Sequence, residues 1–450
     1  MIGCLLAAPA SGSGKTTLTC ALLALLAKRG LDPCAFKCGP DYIDPMFHRS
    51  VLGVPSHNLD LFLSDESTVR ALYARYAAGH GAAVVEGAMG FYDGVGGSTP
   101  EAGAWHLANT LNLPVLLVLR PGGSCLTLAA LIRGLQTFRA PSHIAGVLLN
   151  ECSPSMAAAL APVIRRETGL PVLGWLPPMP EARFPSRHLG LYTAAEVQDL
   201  TARIDALADQ LGKTLDWPAF LAACQQPDIP PAHLSPRPGT PVRLAVARDE
   251  AFCFCYEETL DALRDAGAEL CFFSPLRDAA LPAGAAGLYL PGGYPELHAP
   301  ALALNTAMRR AVAGAVAQGM PTVAECGGFL YLGKSLEDTG GRHWPMAGAL
   351  PGAGYKKGRL VRFGYARITA ETSGLLLEAG QTAPIHEFHH WDSTACGTDF
   401  TARKPVTGRS WGCGFSRPGL YAAFGHLYMA GTPGMAARFV NAARQWAGIL

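Results

Sequence analysis

The chain has 450 residues, too many for one ordinary core, so two or three domains are expected. Lys and Arg number 36 against 35 Asp and Glu, a net charge of +1 that excludes the electrostatic footprint of a nucleic-acid or acidic-membrane binder. With 16% charged and 49% hydrophobic residues, disorder is excluded as well and large buried cores are expected.

The opening MIGCLLAAPA has no basic stretch and runs straight into SGSGKTT. Residues 2–8 therefore read as a buried strand and not as a secretion signal. Residues 16–28 read as a helix ended by Gly30. The apolar runs 82–85, 115–119 and 147–149 have strand length, and helical stretches such as 67–78 and 126–137 alternate with the strands. Strands alternating with helices imply a mostly parallel sheet covered on both faces. Residues 194–211 keep a helical period and close this first domain. Residues 227–241 hold six prolines and no apolar period, and read as a semi-rigid linker. The pattern then restarts: strand 243–247, helix 256–266, and strands 270–273, 287–290 and 322–324. The expected boundaries are a first domain at 1–226, a linker at 227–241 and a second α/β domain at 242–450. The apolar stretch 18–27 is far short of the ~20 residues of a membrane span. Thirteen cysteines with no C-x-x-C pair read as reduced thiols, which fits a cytoplasmic protein.

Four motifs carry chemistry. Between the first strand and helix stands Pro9-Ala10-Ser11-Gly12-Ser13-Gly14-Lys15-Thr16-Thr17. Its glycines let backbone N–H groups wrap phosphates, and the helix N-terminus adds positive potential. Lys15 is placed to reach the β/γ-phosphates of a nucleotide and Thr16 to bind Mg²⁺. The strict pattern has Gly where Pro9 stands, but the cradle Gly12, Ser13, Gly14, Lys15, Thr16, Thr17 is intact. In FKCGPDYIDPMFH, Lys37 precedes Asp41 and Asp44 in a turn able to hold phosphate and metal, with a solvated loop of capping aspartates as the alternative. In VEGAMGFYDG, Glu86 ends a buried strand near the phosphate loop and reads as a second Mg²⁺ ligand, with a helix cap as the alternative. In PTVAECGGF a strand stops at Cys326 and a helix, expected over 329–336, begins. That is the geometry of a nucleophile elbow, whose helix is expected to lower the thiol pKa. The N–H groups of Gly293, in LPGGYPE, and of Gly327 would form an oxyanion hole. His426 is the candidate base, with His386, His389 and His390 as rivals.

FKCGPDYIDPMFH, NLD (58–60), VEGAMGFYDG, PSRHLGL (185–191), ARDEAFCF (247–254), LPGGYPE and AECGGFLYLG occur in this order. The series resembles the cobyrinic acid a,c-diamide synthases of the vitamin B12 pathway, from Ile2 to about Gly431. The resemblance implies a P-loop NTPase-like parallel-sheet domain, similar to dethiobiotin synthetase, followed by a class I glutamine amidotransferase-like α/β domain. It implies that Lys15, Thr16, Lys37, Asp41 and Glu86 serve ATP and Mg²⁺, that Cys326 is the nucleophile and that His426 is its base. Amidotransferases of this class have His-x-Glu. Here Tyr428 stands two beyond His426, so the third triad member is missing and what orients His426 is left open.

The implied reaction is ATP- and glutamine-dependent amidation of the a and c acetate carboxylates of cobyrinate, through an acyl phosphate and released ammonia. Its rivals are the same reaction on hydrogenobyrinate or on nickel-sirohydrochlorin; cobyric acid synthase fits GPDYIDP and VEGAMGFYDG less well. Tyr42, Asp44, Ser98 and Thr99 are expected to line the macrocycle site. Expected partners are a corrinoid dicarboxylate, L-glutamine and ATP, with no nucleic acid and no membrane; a homodimer is left open. A partition-type P-loop ATPase switch would need a basic patch or amphipathic tail. A binding module with a dead second domain is countered by Cys326 at an intact elbow.

Overall fold

The computed structural model describes residues 1–182, 186–187, 190–191, 200–230 and 240–449. Residues 231–239 of the proline-rich segment, Pro185, His188 and Leu189 of PSRHLGL, and the first part of the helix expected over 194–211 lie outside the described residues. The chain divides into two compact units, Met1–Leu234 and Ser235–Leu450.

In the first unit β1 (Ile2–Ala7), α1 (Lys15–Lys28), β2 (Pro33–Cys38), α2 (Ile43–Leu52), β3 (Ser56–Leu59), α3 (Glu66–Ala77) and β4 (Ala82–Glu86) alternate. They are followed by α4 (Ala104–Leu111), β5 (Val115–Leu119), α5 (Leu126–Phe138), β6 (Ile144–Leu149), α6 (Pro154–Thr168) and β7 (Val172–Trp175). The seven strands are all parallel, in the order β3-β2-β4-β1-β5-β6-β7. IGCLLA, AAVVE and VLLVL are buried at every position, as central strands covered on both faces must be. α1 is apolar on most of its circumference because it lies between the sheet and α7 (Leu200–Thr214). Leu18, Leu22, Leu23 and Leu26 are fully enclosed there, each contributing roughly 1.5–3 kcal/mol of burial. β1 lies between β4 and β5, so the chain leaves it toward one side of the sheet and later returns to the other. A crevice opens at the carboxyl ends of the strands at such a switch point.

The second unit has a six-stranded sheet in the order Ala268–Phe273, Val242–Ala247, Gly287–Leu290, Thr322–Glu325, Leu420–Ala423, Phe415–Arg417. All its pairs are parallel except the last. The helix expected over 329–336 is shorter: it spans Gly327–Leu332, stops at Gly333, and gives way to the strand Ser335–Glu337. The following region is largely antiparallel. One sheet orders Ser410–Cys413, Phe400–Arg403, Arg362–Ala370, Thr382–His389 and His426–Leu427. In TAPIHEFH, Ala383, Ile385, Glu387 and His389 are buried while their neighbours are not, the period of two that puts alternate residues on one face. Among the described residues, no helix is long and apolar enough to cross a membrane.

Candidate active site

At the switch point of the first unit the loop after β1 carries Gly12 at φ 80° and Gly14 at φ 95°. These are left-handed conformations that a side chain disfavours. A methyl group on Gly14 would also overlap the side-chain amide of Asn150, whose Nδ2 donates to Ser13 O at 3.1 Å. Ser13 Oγ donates to Ala10 O at 2.9 Å. Lys15 donates to Met89 O at 2.5 Å and Ala10 O at 3.2 Å, and burial lowers its pKa to about 8.

Glu86 ends β4, beside Leu6 of β1 on one side and Lys37 of β2 on the other. Its Oε1 accepts from Thr16 Oγ1 at 2.6 Å and from Lys37 Nζ at 2.9 Å. Lys37 also pairs with Asp44 Oδ2 at 2.5 Å. Burial opposes the ammonium of Lys37, yet Asp44 and Glu86 outweigh it and raise its pKa. Burial raises Glu86 against the pull of Lys37, whereas in Asp44 burial is outweighed by Lys37 and the pKa falls. His48 places Nε2 4.0 Å from Glu86 Oε2 and Nδ1 3.0 Å from Ser56 Oγ.

Thr16 at the phosphate loop is thus joined to the buried Lys37, Asp44 and Glu86 in one network. The helix-cap alternative does not hold for Glu86, which sits at a strand end with 1% exposure. Asp41 does act as a cap: its Oδ1 accepts from the N–H groups of Ile43 at 2.7 Å and Asp44 at 3.4 Å. Burial, then Asp44, raises its pKa to about 7. Asn58, from the NLD motif, holds this turn by donating to Gly39 O and Asp41 O at 2.9 and 2.7 Å. Of the residues expected beside the macrocycle, Asp44 is enclosed against Lys37, Ser98 is exposed, and Tyr42 and Thr99 are half-buried. Among the described residues no group of three or more His, Cys, Asp or Glu could hold a metal. Thr16 and Glu86 nevertheless supply the hydroxyl and carboxylate oxygens that would suit a magnesium ion. Glu86 Oε2 accepts no hydrogen bond among the described residues, leaving a carboxylate oxygen for that purpose.

In the second unit Cys326 has φ 47° and ψ −102°, a strained turn between the strand Thr322–Glu325 and the helix Gly327–Leu332. Its N–H donates to Ala423 O at 2.8 Å, tying the elbow to the strand Leu420–Ala423, whose continuation carries His426. A methyl group on Gly327 would lie 3.0 Å from the N of Gly293, so the two glycines expected to supply N–H donors are neighbours. The His426 ring lies over Gly292, and a methyl there would meet it.

Burial lowers the His426 pKa to about 3, helped by His386 and His389, so the imidazole is neutral at pH 7. His386 pairs across the strands with His426, and His389 stacks on Phe424 at 3.9 Å with Nδ1 2.6 Å from Trp391 O. His390 meets Phe388 edge-on. Tyr428 packs edge-on against Tyr256 at 5.1 Å.

The expectation of a lowered thiol pKa is corrected. Burial, then Glu296, pushes the Cys326 thiol up, and the Gly327 N–H opposes this only in part. The helix behind it has six residues, too short to win against desolvation.

Sequence reasoning missed Asn150 and Glu325. Each is a polar residue at or just past the end of an apolar strand, the signal that singled out Glu86.

The fold and its two sites define a P-loop nucleotide-binding unit followed by a glutamine amidotransferase unit, the build of an amide-forming ligase. Residues 4–191 match the CobQ/CobB/MinD/ParA nucleotide binding domain and residues 243–416 the CobB/CobQ-like glutamine amidotransferase domain. Curated relatives named cobyrinate a,c-diamide synthase include those of Synechococcus sp., 38% identical over 98% of both chains, and Gloeobacter violaceus, 40% identical over 97% of this chain and 96% of that one. The Salmonella typhimurium relative is 38% identical over 98% of both. Among solved structures, PurLQS from Thermotoga maritima matches at 17% identity and a TM-score of 0.32, over 46% of this chain and 97% of that one, too distant to bear on the fold. The chain belongs to the cobyrinate a,c-diamide synthase family.

Proposed function

We propose that this enzyme converts the a and c acetate carboxylates of cobyrinate to amides in cobalamin biosynthesis, using ATP and glutamine. The supporting observation is the near full-length match to relatives that carry this name, on a chain whose two units each hold an organised site. We assign carboxylate activation to residues 1–226, glutamine hydrolysis to 242–450 and a linker to 227–241. The substrates are small molecules handled in the cytoplasm, with no nucleic acid or membrane involved, and a homodimer is left open.

A carboxylate does not yield an amide directly in water, because hydroxide is a poor leaving group. Attack of a carboxylate oxygen on the γ-phosphorus of ATP, with ADP leaving, gives an acyl phosphate from which ammonia displaces phosphate. Gly12, Ser13, Gly14 and Thr17 offer backbone N–H groups to the phosphates, and Lys15 leaves its carbonyl partners to meet the transferring group. Lys37 fixes Glu86. Thr16, Glu86 and Asp41 would hold Mg²⁺, which when bound offsets phosphoryl charge.

In the second unit His426 takes the Cys326 proton and the sulfur attacks the glutamine side-chain carbonyl. Gly293 and Gly327 N–H groups receive the oxyanion. His426 returns the proton to the departing ammonia, and water hydrolyses the thioester. Tyr42, Asp44, Ser98 and Thr99 are the candidates beside the macrocycle. Assaying cobyrinate, hydrogenobyrinate and nickel-sirohydrochlorin side by side, with ATP, Mg²⁺ and glutamine, tests the assignment. Preference for either rival macrocycle refutes the substrate named.

A further inference from the structure

The carboxylate that orients His426 is absent from its usual place two residues on, where Tyr428 packs against Tyr256. A different carboxylate stands beside the ring. Glu325 ends the strand Thr322–Glu325, one residue before the nucleophile, and is 1% exposed. Its Oε1 accepts the N–H of Leu427 at 3.1 Å, fixing the backbone next to His426. Its Oε2 accepts from Tyr289 Oη at 3.1 Å and lies 3.9 Å from His426 Nδ1. Resting on the glutaminase reading above, we propose that Glu325 is the positioning residue for His426, holding its strand with one oxygen and facing Nδ1 with the other.

The chemistry requires such a partner. When the imidazole takes the thiol proton on Nε2 it becomes a cation with N–H groups on both nitrogens, enclosed at 2% exposure. The other titratable groups against it, His386 and His389 from the strand Thr382–His389, oppose that charge. Around Glu325 itself stand Tyr289, Tyr421 and Cys255. An ionised carboxylate there favours the imidazolium, and an amide of equal shape does not. Burial raises the Glu325 pKa to about 8, so its ionised fraction grows as pH rises from 7 to 9. The glutaminase rate is expected to grow over the same interval.

The test compares Glu325→Gln with wild type in glutamine hydrolysis across pH 6–9, with ammonia-dependent amidation as the control. Gln keeps the acceptor for Leu427 N–H. The expected result is a kcat lowered about 100-fold with an unchanged KM for glutamine, loss of the rise with pH, and a full ammonia rate. Glu325→Asp, one methylene shorter, should not restore the rate. Wild-type kcat and pH profile in a folded Glu325→Gln protein overturn the proposal. If Cys326→Ser leaves glutamine hydrolysis intact, the glutaminase reading itself fails and the proposal falls with it. If only the Glu325 variants are silent, the proposal alone is lost.

Discussion

Gly292→Ala adds one methyl group beneath the proposed base and nothing elsewhere. Gly292 is not at a positive φ, so the backbone accepts alanine. The methyl overlaps Cε1 of His426 and comes to 3.3 Å from both Nδ1 and Nε2, inside the roughly 3.5–4.0 Å of a favourable contact. The ring is enclosed and cannot swing into solvent, so it must retreat by about 1 Å. A displacement of that size in a proton-transferring group costs about 100-fold in rate, or about 2.7 kcal/mol on the barrier. Steady-state glutamine hydrolysis should show this loss in kcat. Ammonia-dependent amidation should be unchanged, and thermal unfolding should report no more than the roughly 1–3 kcal/mol of an overpacked site. A Gly292→Ala enzyme with wild-type glutaminase kcat would refute the placement of His426 as the base.

Cys326→Ser should abolish amidation with glutamine and spare amidation with high ammonium above pH 8; failure with both donors would make Cys326 structural. Glu86→Gln keeps the shape and removes the charge that Thr16 and Lys37 meet. It should abolish amidation with either donor and recover in part at raised Mg²⁺, whereas an unchanged Mg²⁺ requirement would remove Glu86 from metal binding. Acidification tests the buried groups of the second unit. His386, His389 and His426 are held neutral by burial, at about 3, 4 and 3, below the ~6.5 of an unfolded chain, so each loses about 1 kcal/mol of stability as pH falls from 6.5 to 5.5. Glu387 is raised to about 7 by burial, so it binds its proton in the folded state first and gains about as much over the same interval. Glu387→Gln removes that offset, and its urea midpoint should fall more steeply on acidification than that of wild type; parallel midpoints would contradict the sign.

The parallel sheets were legible because their strands are short apolar runs bounded by Gly, Pro or charge, as in VLLVL and in TVAE before Cys326. The antiparallel sheets were not. RFGYARITA and TAPIHEFH alternate apolar with His, Glu, Arg and Thr, a weaker signal than a continuous run. Motif residues were legible one by one, but not their joining. Lys37, Asp44 and Glu86 meet because β2 and β4 are spatial neighbours, which local sequence does not state. The thiol pKa was misread because burial is a property of the packed unit, whereas the helix start that argues the other way is visible locally. Glu325 went unnoticed because its partner is 102 residues away in the chain.

The proposed activity moves nitrogen from glutamine into two carboxylates of one macrocycle at the expense of ATP. Glutamine carrying heavy nitrogen in its side-chain amide, incubated with the enzyme, Mg²⁺, ATP and cobyrinate, tests it most directly. The expected product carries two labelled amides, on the a and c side chains, formed only with ATP and with ADP released for each. An unlabelled product, or labelled amides formed without ATP, would contradict it.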